Sequence, residues 1–596
     1  MRSQHYRIHL KFNMLRFILL IIYLGGTWSI AFAQTYNYHF FVAFTDKNFS
    51  YVDFTKPELY LTQAAIDRRA RFNIDLDTHD YPVTKAYVDN IKGEGFFVRY
   101  ETKWMNGLVV TTETMNEAWR LKIKFYVRDV VYLGRTRKID DRQQPGPTQA
   151  SGSKGEPESS EGTIEFSDHE NAQILYGQGY EQLHMMEAYG LHEAGYRGKG
   201  INIAILDAGF KKVDQLSAFE ELRKDGRIKM TYDVVDLEEG VYEDNDHGTN
   251  VLGVLASNKV GDMIGSAPDA NYFLFRTEAK QYESWLEEFN WIRAAEMADS
   301  LGVDVINSSL GYNAMDEHRL SHRQHELNGR TAYISLGAEI AVSRGIVVVN
   351  ASGNDGNKTW GKINFPADVD EVLVVGAVNS RLQAASFSSH GPTSDGRNKP
   401  DVSALGVSTA VTATYGTSRG NGTSFACPVI AGLVACLLQA DSTLRPADVR
   451  LVLMRSSHLY PKYDSIIGYG VPNIPLAQTI MGKDVNFNYR APHMLLEPKD
   501  TIVNGTNFTA FHPQSGDLYL RIKEQKRFLL FNYLKTREVV LLERDYDGFG
   551  AQVIELKEVN AKHQYQGELL FHPFNDAGQT TKIHEVFWLD TFYLKN

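Results

Sequence analysis

The sequence predicts an α/β domain across residues 169–482, in which helices cover both faces of a parallel sheet. Amphipathic segments such as 285–301 alternate there with short runs of mainly β-branched and other apolar residues. These runs are 201–206, 303–308, 346–351 and 372–377. Nearly continuous apolar strands that alternate with helices are typical of a parallel sheet buried on both faces. Ligands bind beyond the carboxyl ends of such strands, so the residues just after the runs are the first candidates for a site.

Three regions of different character flank this domain. Residues 34–137 combine strand-like runs such as 36–44 with a helical pattern at 59–72, which predicts a small α+β module. Residues 138–168 are rich in Gly, Pro, Ser and Glu without apolar periodicity, so we expect a flexible linker open to proteolysis. Residues 483–596 contain alternating apolar and polar segments between turn residues and predict a β-rich C-terminal domain.

Residues 1–33 have the pattern of an export signal. Basic residues precede an apolar run that starts at Phe17, and small residues surround a cleavage point at Ala31-Phe32-Ala33. An uncleaved membrane anchor is the alternative, but Gly25 and Gly26 interrupt a run that is short for a bilayer span. We therefore expect a signal peptide and a protein that is extracellular, on the cell surface or periplasmic, with no membrane span after cleavage.

Size and charge exclude several classes of protein. The chain has 596 residues, more than one hydrophobic core usually supports, and its 43% hydrophobic and 23% charged residues are ordinary for globular domains. A formal net charge of −11 without a basic patch argues against nucleic-acid binding. Cys427 and Cys436 lie in one apolar segment. On a helix they would be about 13 Å apart, beyond the reach of a disulfide, so we expect two buried thiols.

Three segments place reactive side chains at a strand end or at the start of a helix. They are Asp207-Ala-Gly-Phe, Asp246-His247-Gly-Thr-Asn, and Gly422-Thr-Ser424 before an apolar helix at 425–439 with Pro428 in its first turn. A serine hydroxyl needs an imidazole to take its proton, and the imidazole needs a carboxylate on its other nitrogen. The residue types therefore predict a Ser424 nucleophile, a His247 base and an orienting Asp207. Taken singly, each segment is also compatible with a helix cap or a turn.

In this order the three segments resemble the aspartate, histidine and serine motifs of the subtilisin-like serine proteases, or subtilases, over about 170–480. The resemblance implies a subtilisin-like fold and a serine endopeptidase that forms an acyl-enzyme on Ser424 with protein or peptide substrates. It also implies an oxyanion donor at Asn354, within Asn350-Ala-Ser-Gly-Asn354. The substrate-binding residues that it implies are Ser309, Leu310, Gly311, Ser352 and Gly353.

Some positions depart from the family pattern. Ala208 stands where a serine or threonine is usual, Leu252 where a small residue is usual, and Phe425 where methionine is usual. None removes a reacting atom, so they bear on rate and pocket shape rather than on the reaction class. The module at 34–137 resembles a propeptide, which implies a zymogen whose module acts as an intramolecular inhibitor or folding aid until it is cut off within 138–168.

Two other functions remain open from the residues alone. A catalytically weak binding or adhesion protein on a protease scaffold would keep the same fold, and the C-terminal region suits a binding role. A metal-dependent hydrolase would use the histidines of His318-x-x-x-His322-x-x-His325, but the His-Glu-x-x-His pattern is missing and we expect a solvated surface helix or insertion.

The acidic run Glu243-Asp-Asn-Asp246 lacks the spacing of a calcium loop, so a structural calcium ion lacks support. We expect chemistry without a metal or cofactor.

Overall fold

The structure, a computed structural model, describes residues 36–47, 53, 55–137 and 169–481, together with six further strands between 506 and 588. The predicted signal at 1–33 and linker at 138–168 lie outside the described residues. The α/β fold class is confirmed. A small antiparallel module precedes a parallel sheet that is covered by helices.

The N-terminal module is a four-stranded antiparallel sheet with two α-helices. Its strands are β1 (Tyr36–Phe44), β2 (Phe97–Thr102), β3 (Gly107–Thr112) and β4 (Val127–Arg137), in the order β2-β3-β1-β4. Its helices are α1 (Gln63–Phe72) and α2 (Lys85–Gly93). Thr62 caps α1, since its side chain accepts a hydrogen bond from the Ala65 amide at 3.4 Å.

The central sheet has seven parallel strands. They are β5 (Asn202–Asp207), β6 (Ile228–Asp233), β9 (Asn271–Arg276), β10 (Val305–Ser308), β11 (Val347–Ala351), β12 (Leu373–Val378) and β13 (Val402–Leu405), with the short hairpin β7 (Asn258–Lys259) and β8 (Met263–Ile264) outside the sheet. The order in the sheet is β13-β12-β11-β10-β5-β9-β6. The four apolar runs thus form the adjacent strands β12, β11, β10 and β5, with β10 at the centre of the sheet. The sequence prediction missed β6, β9 and β13.

Helices flank this sheet. They are α3 (His169–Tyr176), α4 (Tyr180–His184), α5 (Tyr189–Glu193), α6 (Glu220–Lys224), α7 (His247–Ala256), α8 (Trp285–Leu301), α9 (Tyr333–Ser343), α10 (Thr423–Ala440), α11 (Pro446–Arg455) and α12 (Ile474–Ile480). A hairpin, β14 (Thr409–Ala413) and β15 (Gly416–Gly420), precedes α10. Ser284 caps α8, and Glu287 reaches back to the Ser284 amide at 3.1 Å, so a capping box begins this helix.

Two hydrophobic cores lie on opposite faces of the sheet. One contains the apolar side chains of α7 and of α10, including the two cysteines, which are both buried free thiols as expected. Among the described residues, α10 is the helix long and apolar enough to cross a membrane by composition, but 83% of it is buried. It is therefore the central core helix of this domain.

The second core is shared between the module and the α/β domain. It joins β1 and β3 of the module to α8 and α9, and the rings of Phe41 and Phe289 lie 4.7 Å apart. Buried ion pairs join the same two bodies, since Arg68 and Arg69 of α1 both contact Asp299 of α8. The module is therefore held on the domain by both apolar and ionic contacts.

The C-terminal region contains strands, as the fold prediction expected. They are β16 (Thr506–Phe511), β17 (Gly516–Phe528), β18 (Phe531–Tyr546), β19 (Phe549–Ile554), β20 (Tyr565–Pro573) and β21 (Glu585–Trp588). β17, β18, β20 and β21 form one antiparallel sheet, and β16 pairs with β19.

Candidate active site

Asp207 and His247 form a hydrogen-bonded pair at the carboxyl end of the central sheet. Asp207 is the last residue of β5 and is fully buried, and His247 is the first residue of α7. The His247 Nδ1 lies 2.7 Å from Asp207 Oδ1, and the amide of Ala208 donates to the same oxygen at 2.7 Å. With Nδ1 assigned as the donor, Nε2 of His247 is left as the acceptor for a proton.

The loop before α7 also positions the imidazole. The His247 amide donates to Asn245 Oδ1 at 2.9 Å, and the side chain of His247 is 31% exposed. Burial of the ring by itself would lower the pKa of His247, but the charge and hydrogen bond of Asp207 outweigh it and raise the pKa to about 8. This imidazole can therefore both accept and hold a proton near neutral pH.

Ser424 is the second residue of α10 and is 8% exposed. We expected Pro428 in the first helical turn, but the helix begins at Thr423 and Pro428 is inside it. Because proline has no N–H, the Ser424 carbonyl loses its usual partner four residues on. Ser309 Oγ donates to that carbonyl at 2.9 Å instead, and Ser424 Oγ donates to the Ser309 carbonyl at 3.1 Å.

The two halves of the predicted triad are adjacent without being hydrogen-bonded. Phe425 packs against the imidazole, with the ring centroids of His247 and Phe425 at 5.8 Å. Within the described residues, Ser424 Oγ donates to Ser309 rather than to His247. Catalytic hydrogen bonds are often unmade in free enzymes and form when substrate binds. The unusual Phe425, which follows Ser424 in the chain, thus packs against the ring of the predicted base.

Asn354 and the start of α10 border one small space. Asn354 Oδ1 accepts hydrogen bonds from the amide and hydroxyl of Thr423, at 2.9 and 3.1 Å. The N–H groups of Asn354 Nδ2 are therefore available as donors. A Cβ built on Gly422 would lie 3.7 Å from both Asn354 Nδ2 and the Ser424 nitrogen. Two N–H donors therefore border the same position, and the lack of a side chain at Gly422 keeps it open.

The two segments that contain the five predicted substrate-binding residues meet at one asparagine. Ser309, Leu310 and Gly311 follow β10, and Ser352 and Gly353 follow β11. A Cβ on Gly311 would lie 2.8 Å from Asn364 Cβ, and one on Gly353 would lie 2.7 Å from Asn364 Nδ2. The two segments therefore meet across Asn364, and neither glycine accepts a side chain without displacement.

The acidic run at 243–246 contributes to an ion-pair cluster around an arginine. Asp244 of the acidic run converges with Asp233 and Asp236, but Arg276 Nη1 lies 2.5 Å from Asp233, 2.6 Å from Asp236 and 3.3 Å from Asp244. A guanidinium group thus occupies the place that a metal ion would take.

The segment with His318, His322 and His325 was expected to be a solvated surface helix or insertion; His318 and His325 are exposed, but the segment is not a helix and His322 is buried. Its residues belong to two separate 3₁₀ turns, His318–Leu320 and Gln324–Glu326, rather than to one helix. His322 lies between the turns and is buried rather than solvated, with its Nε2 2.5 Å from Glu288 Oε1. The ion pair with Glu288 explains the burial, because an imidazolium with a carboxylate partner tolerates desolvation.

Sequence reasoning missed a group of carboxylates beside the His247–Asp207 pair. Asp207 is the last residue of β5, and Glu278 lies two residues after the end of the neighbouring strand β9. Glu278 borders a pocket that also contains Glu283, Glu287 and Asp316. Burial raises the pKa of Glu278 to about 7. The signal that could have found it was the same rule on strand ends, applied to the aromatic strand β9 that the prediction overlooked.

Comparisons with known proteins agree with this architecture. Residues 198–470 match the model of the Subtilase family, and residues 39–149 match that of the Peptidase S8 propeptide domain of Bacteroidota. Subtilisin E of Bacillus subtilis is 34% identical over 319 residues, which cover 52% of this chain and 72% of that protein. Subtilisin of Bacillus pumilus is 33% identical over 301 residues, 49% of this chain and 96% of that protein.

A more distant relative is the membrane-bound transcription factor site-1 protease of Mus musculus, 29% identical over 307 residues, 49% of this chain and 26% of that protein. The fold and these matches define a subtilisin-like serine peptidase. The chain belongs to the subtilase family and is a serine-type endopeptidase with an N-terminal propeptide domain.

Proposed function

We propose that this chain is an exported serine endopeptidase that cleaves peptide bonds through an acyl-enzyme on Ser424. The observation that supports this most directly is the 2.7 Å contact between His247 and the buried Asp207, with Ser424 on the adjacent helix start. This arrangement has the three parts that nucleophilic catalysis by a serine requires: a hydroxyl, a base and a group that orients the base.

The reaction begins with rotation of the Ser424 hydroxyl away from the Ser309 carbonyl and toward His247 Nε2. The imidazole removes the hydroxyl proton as Ser424 Oγ attacks the scissile carbonyl carbon. Asp207 holds the imidazole in this tautomer and stabilises the imidazolium. As the tetrahedral intermediate collapses, His247 passes the proton to the departing amine. A water molecule, deprotonated by His247, then hydrolyses the ester and restores Ser424.

The oxyanion of the intermediate binds in the space bordered by Asn354 Nδ2 and the Ser424 amide. Both donors are held before substrate arrives, Asn354 by its hydrogen bonds to Thr423 and the amide by the helix, so little reorganisation is needed. The N-terminal end of α10 adds a favourable partial positive charge. Gly422 admits the oxygen, because a side chain there would stand between the donors.

Substrate binds along the segments that follow β10 and β11. Ser309, Leu310 and Gly311 pair with the backbone of an extended peptide, and Ser352 and Gly353 form a wall of the pocket for the residue before the scissile bond. Backbone pairing of this kind is largely independent of side chains, so specificity depends on the pockets.

The regions before the catalytic domain serve export and activation, and one further domain follows it. Residues 1–33 direct secretion to the extracellular space, the cell surface or the periplasm. Residues 34–137 form the propeptide module. This module inhibits the catalytic domain at 169–482, or assists its folding, until the linker at 138–168 is cut. Residues 483–596 form a β-rich domain after the protease.

An active-site probe tests the proposal. A fluorophosphonate is expected to label the wild-type enzyme at the activated serine and to leave the Ser424→Ala variant unlabelled, as gel fluorescence of the two samples would show. Equal labelling of both would contradict the assignment of Ser424. Labelling that is lost in His247→Ala as well supports the role of the imidazole as the activating base.

Activity is expected to rise with pH to a plateau above about pH 8. Only the neutral imidazole accepts the serine proton, and Asp207 raises the pKa of His247 to about 8, so the protonated, inactive form predominates below that value. The kcat/KM of the processed enzyme for a peptide amide, measured from pH 5 to 10, checks this. A midpoint at or below the ordinary histidine value of 6.5 would contradict it.

A further inference from the structure

A pocket of about 300 Å³ opens directly beside the catalytic pair. It lies between the end of β9 and the start of α8, and Ala208 and Asn245 belong to its wall. Ala208 follows Asp207, and Asn245 holds the amide of His247. A side chain of a peptide bound at the triad could therefore enter this pocket, which we call the acidic pocket.

The wall of the acidic pocket carries four carboxylates. They are those of Glu278, Glu283, Glu287 and Asp316. Among the described residues none of the four forms an ion pair. Glu287 accepts hydrogen bonds from the amides of Ala279 and Ser284, and Asp316 accepts one from the amide of Glu283. Lys280 supplies the cation of the wall and is exposed. The wall of the pocket therefore has more carboxyl groups than cations.

For two of these groups, burial favours the neutral carboxylic acid over the carboxylate anion. Burial raises the pKa of Glu278 to about 7, and the charge of Asp207 adds to the effect. Burial likewise raises the pKa of Glu283 to about 8, with contributions from Glu278 and Asp316. Desolvated like charges of this kind become stable when a cation binds among them.

A buried hydroxyl also faces this cluster. Tyr312 is fully buried, and burial together with the neighbouring Glu278 carboxylate raises the pKa of its hydroxyl. It interacts with the carboxylates of Glu278, Glu287 and Glu283. An ammonium or guanidinium group has N–H donors for the carboxylates of this cluster.

The chain itself brings cations to this edge of the domain. At Gly134 the last strand of the module, β4, passes so close to Ser284 that a Cβ on Gly134 would lie 2.7 Å from Ser284 Cβ. Ser284 adjoins Glu283 in the chain. The strand continues as Arg135-Thr136-Arg137 into the linker, and Arg135 Nε lies 3.9 Å from Glu317 Oε1. The basic segment 135–137, which precedes the predicted cut in the chain, thus lies near the acidic pocket.

We propose that the acidic pocket binds a lysine or arginine side chain of the substrate, on the amino side of the scissile bond. This inference rests on the proposed peptidase function of the triad and adds a substrate class to it. Backbone pairing alone gives broad specificity, whereas a desolvated cluster of carboxylates favours a cation over an uncharged side chain of the same length.

The test compares peptides that differ only in charge. Peptides carrying either lysine or norleucine at each of the positions before the cut are hydrolysed by the processed wild-type enzyme. At one position kcat/KM is expected to be about tenfold higher for lysine, and this ratio is expected to fall as salt is added. The Glu283→Gln variant is expected to bring the ratio close to one.

Matched variants separate the possible outcomes. Asp316→Asn, at an exposed position of the wall, is a second variant expected to lower the ratio, and Glu339→Gln on the exposed face of α9 is expected to preserve it. Hydrolysis of all peptides with equal efficiency would overturn the acidic pocket as a cation site while leaving the peptidase assignment intact. Failure to hydrolyse any peptide, together with absent fluorophosphonate labelling, would overturn both proposals.

Discussion

Replacement of Ser424 by alanine is expected to lower kcat/KM for peptide hydrolysis by about 10⁶-fold, the size of loss known when the triad serine is removed from the related subtilisin. The reason is that the other described hydroxyl at the start of α10, that of Thr423, donates to Asn354 and does not replace the Ser424 nucleophile. Residual hydrolysis would come from the oxyanion donors and substrate binding alone. Steady-state kinetics measures the effect on wild type and variant that have both been cut by a specific protease at a site inserted in 138–168, so that both are compared in the same processed form.

The same substitution is expected to block maturation. If the enzyme cuts its own linker, wild-type protein starts between about residues 138 and 200, and the Ser424→Ala variant keeps the module in one uncut chain. N-terminal sequencing of both proteins measures this. Ser343→Ala, an exposed serine of α9, serves as the control and should mature and hydrolyse peptides like the wild type. A fully active wild-type protein that starts at Gln34 would contradict maturation in the linker.

Substitution of Asp299 by asparagine is expected to release the module once the linker is cut. Asp299 is buried on α8, and three cations of the module surround it. Arg68 Nη2 lies 2.5 Å, Arg69 Nη2 2.8 Å and Lys103 Nζ 3.6 Å from its carboxylate. Without the carboxylate these cations remain buried in the assembled state, whereas in the separated module they face water. The penalty therefore falls on the assembled state alone.

Loss of one partner from a buried ion pair costs about 3–5 kcal/mol. At that cost the dissociation constant of the module rises by about 100- to 5000-fold. The measurement uses the Ser424→Ala background with a recognition site for a specific protease inserted in 138–168, followed by size-exclusion chromatography after cutting. The background should elute as one complex, and the Asp299→Asn variant as two separate fragments.

A matched control lies on the surface of the module. Asp89 forms an exposed pair with Lys85 at 2.7 Å, and Asp89→Asn is expected to leave the complex intact because exposed pairs contribute little. Co-elution of the Asp299→Asn fragments would show that apolar contacts such as Phe41–Phe289 hold the module without the ion pairs.

Acid is expected to act in the same direction as the Asp299 substitution. Burial by itself would raise the pKa of Asp299, but Lys103, Arg68 and Arg69 lower it below its ordinary value. A lowered pKa in the complex means that the attraction is complete above the ordinary carboxyl pKa and is lost as pH falls through the lowered value. The ionic contacts are therefore at full strength at neutral pH.

The strand predictions were correct where the residues of the strand themselves carry the signal. The apolar runs that became β5, β10, β11 and β12 were visible because strands buried on both faces have nearly continuous apolar sequences. The aromatic strand β9 has the same buried position, but a prediction that relied on β-branched residues missed it, and with it Glu278. The expected solvation of His322 was wrong, because this residue is buried against Glu288, 34 residues earlier in the chain.

By itself the sequence determined the fold class, the family and the candidate reacting residues Asp207, His247 and Ser424, because each stands in a short motif at a strand end or helix start. Tertiary structure alone decided how these groups are tuned: the reciprocal hydrogen bonds of Ser424 and Ser309, the raised pKa of His247, and the charge of the acidic pocket. Such properties depend on the distances and burial of groups far apart in the chain. No local pattern records them, and they decide which substrate the same chemistry serves.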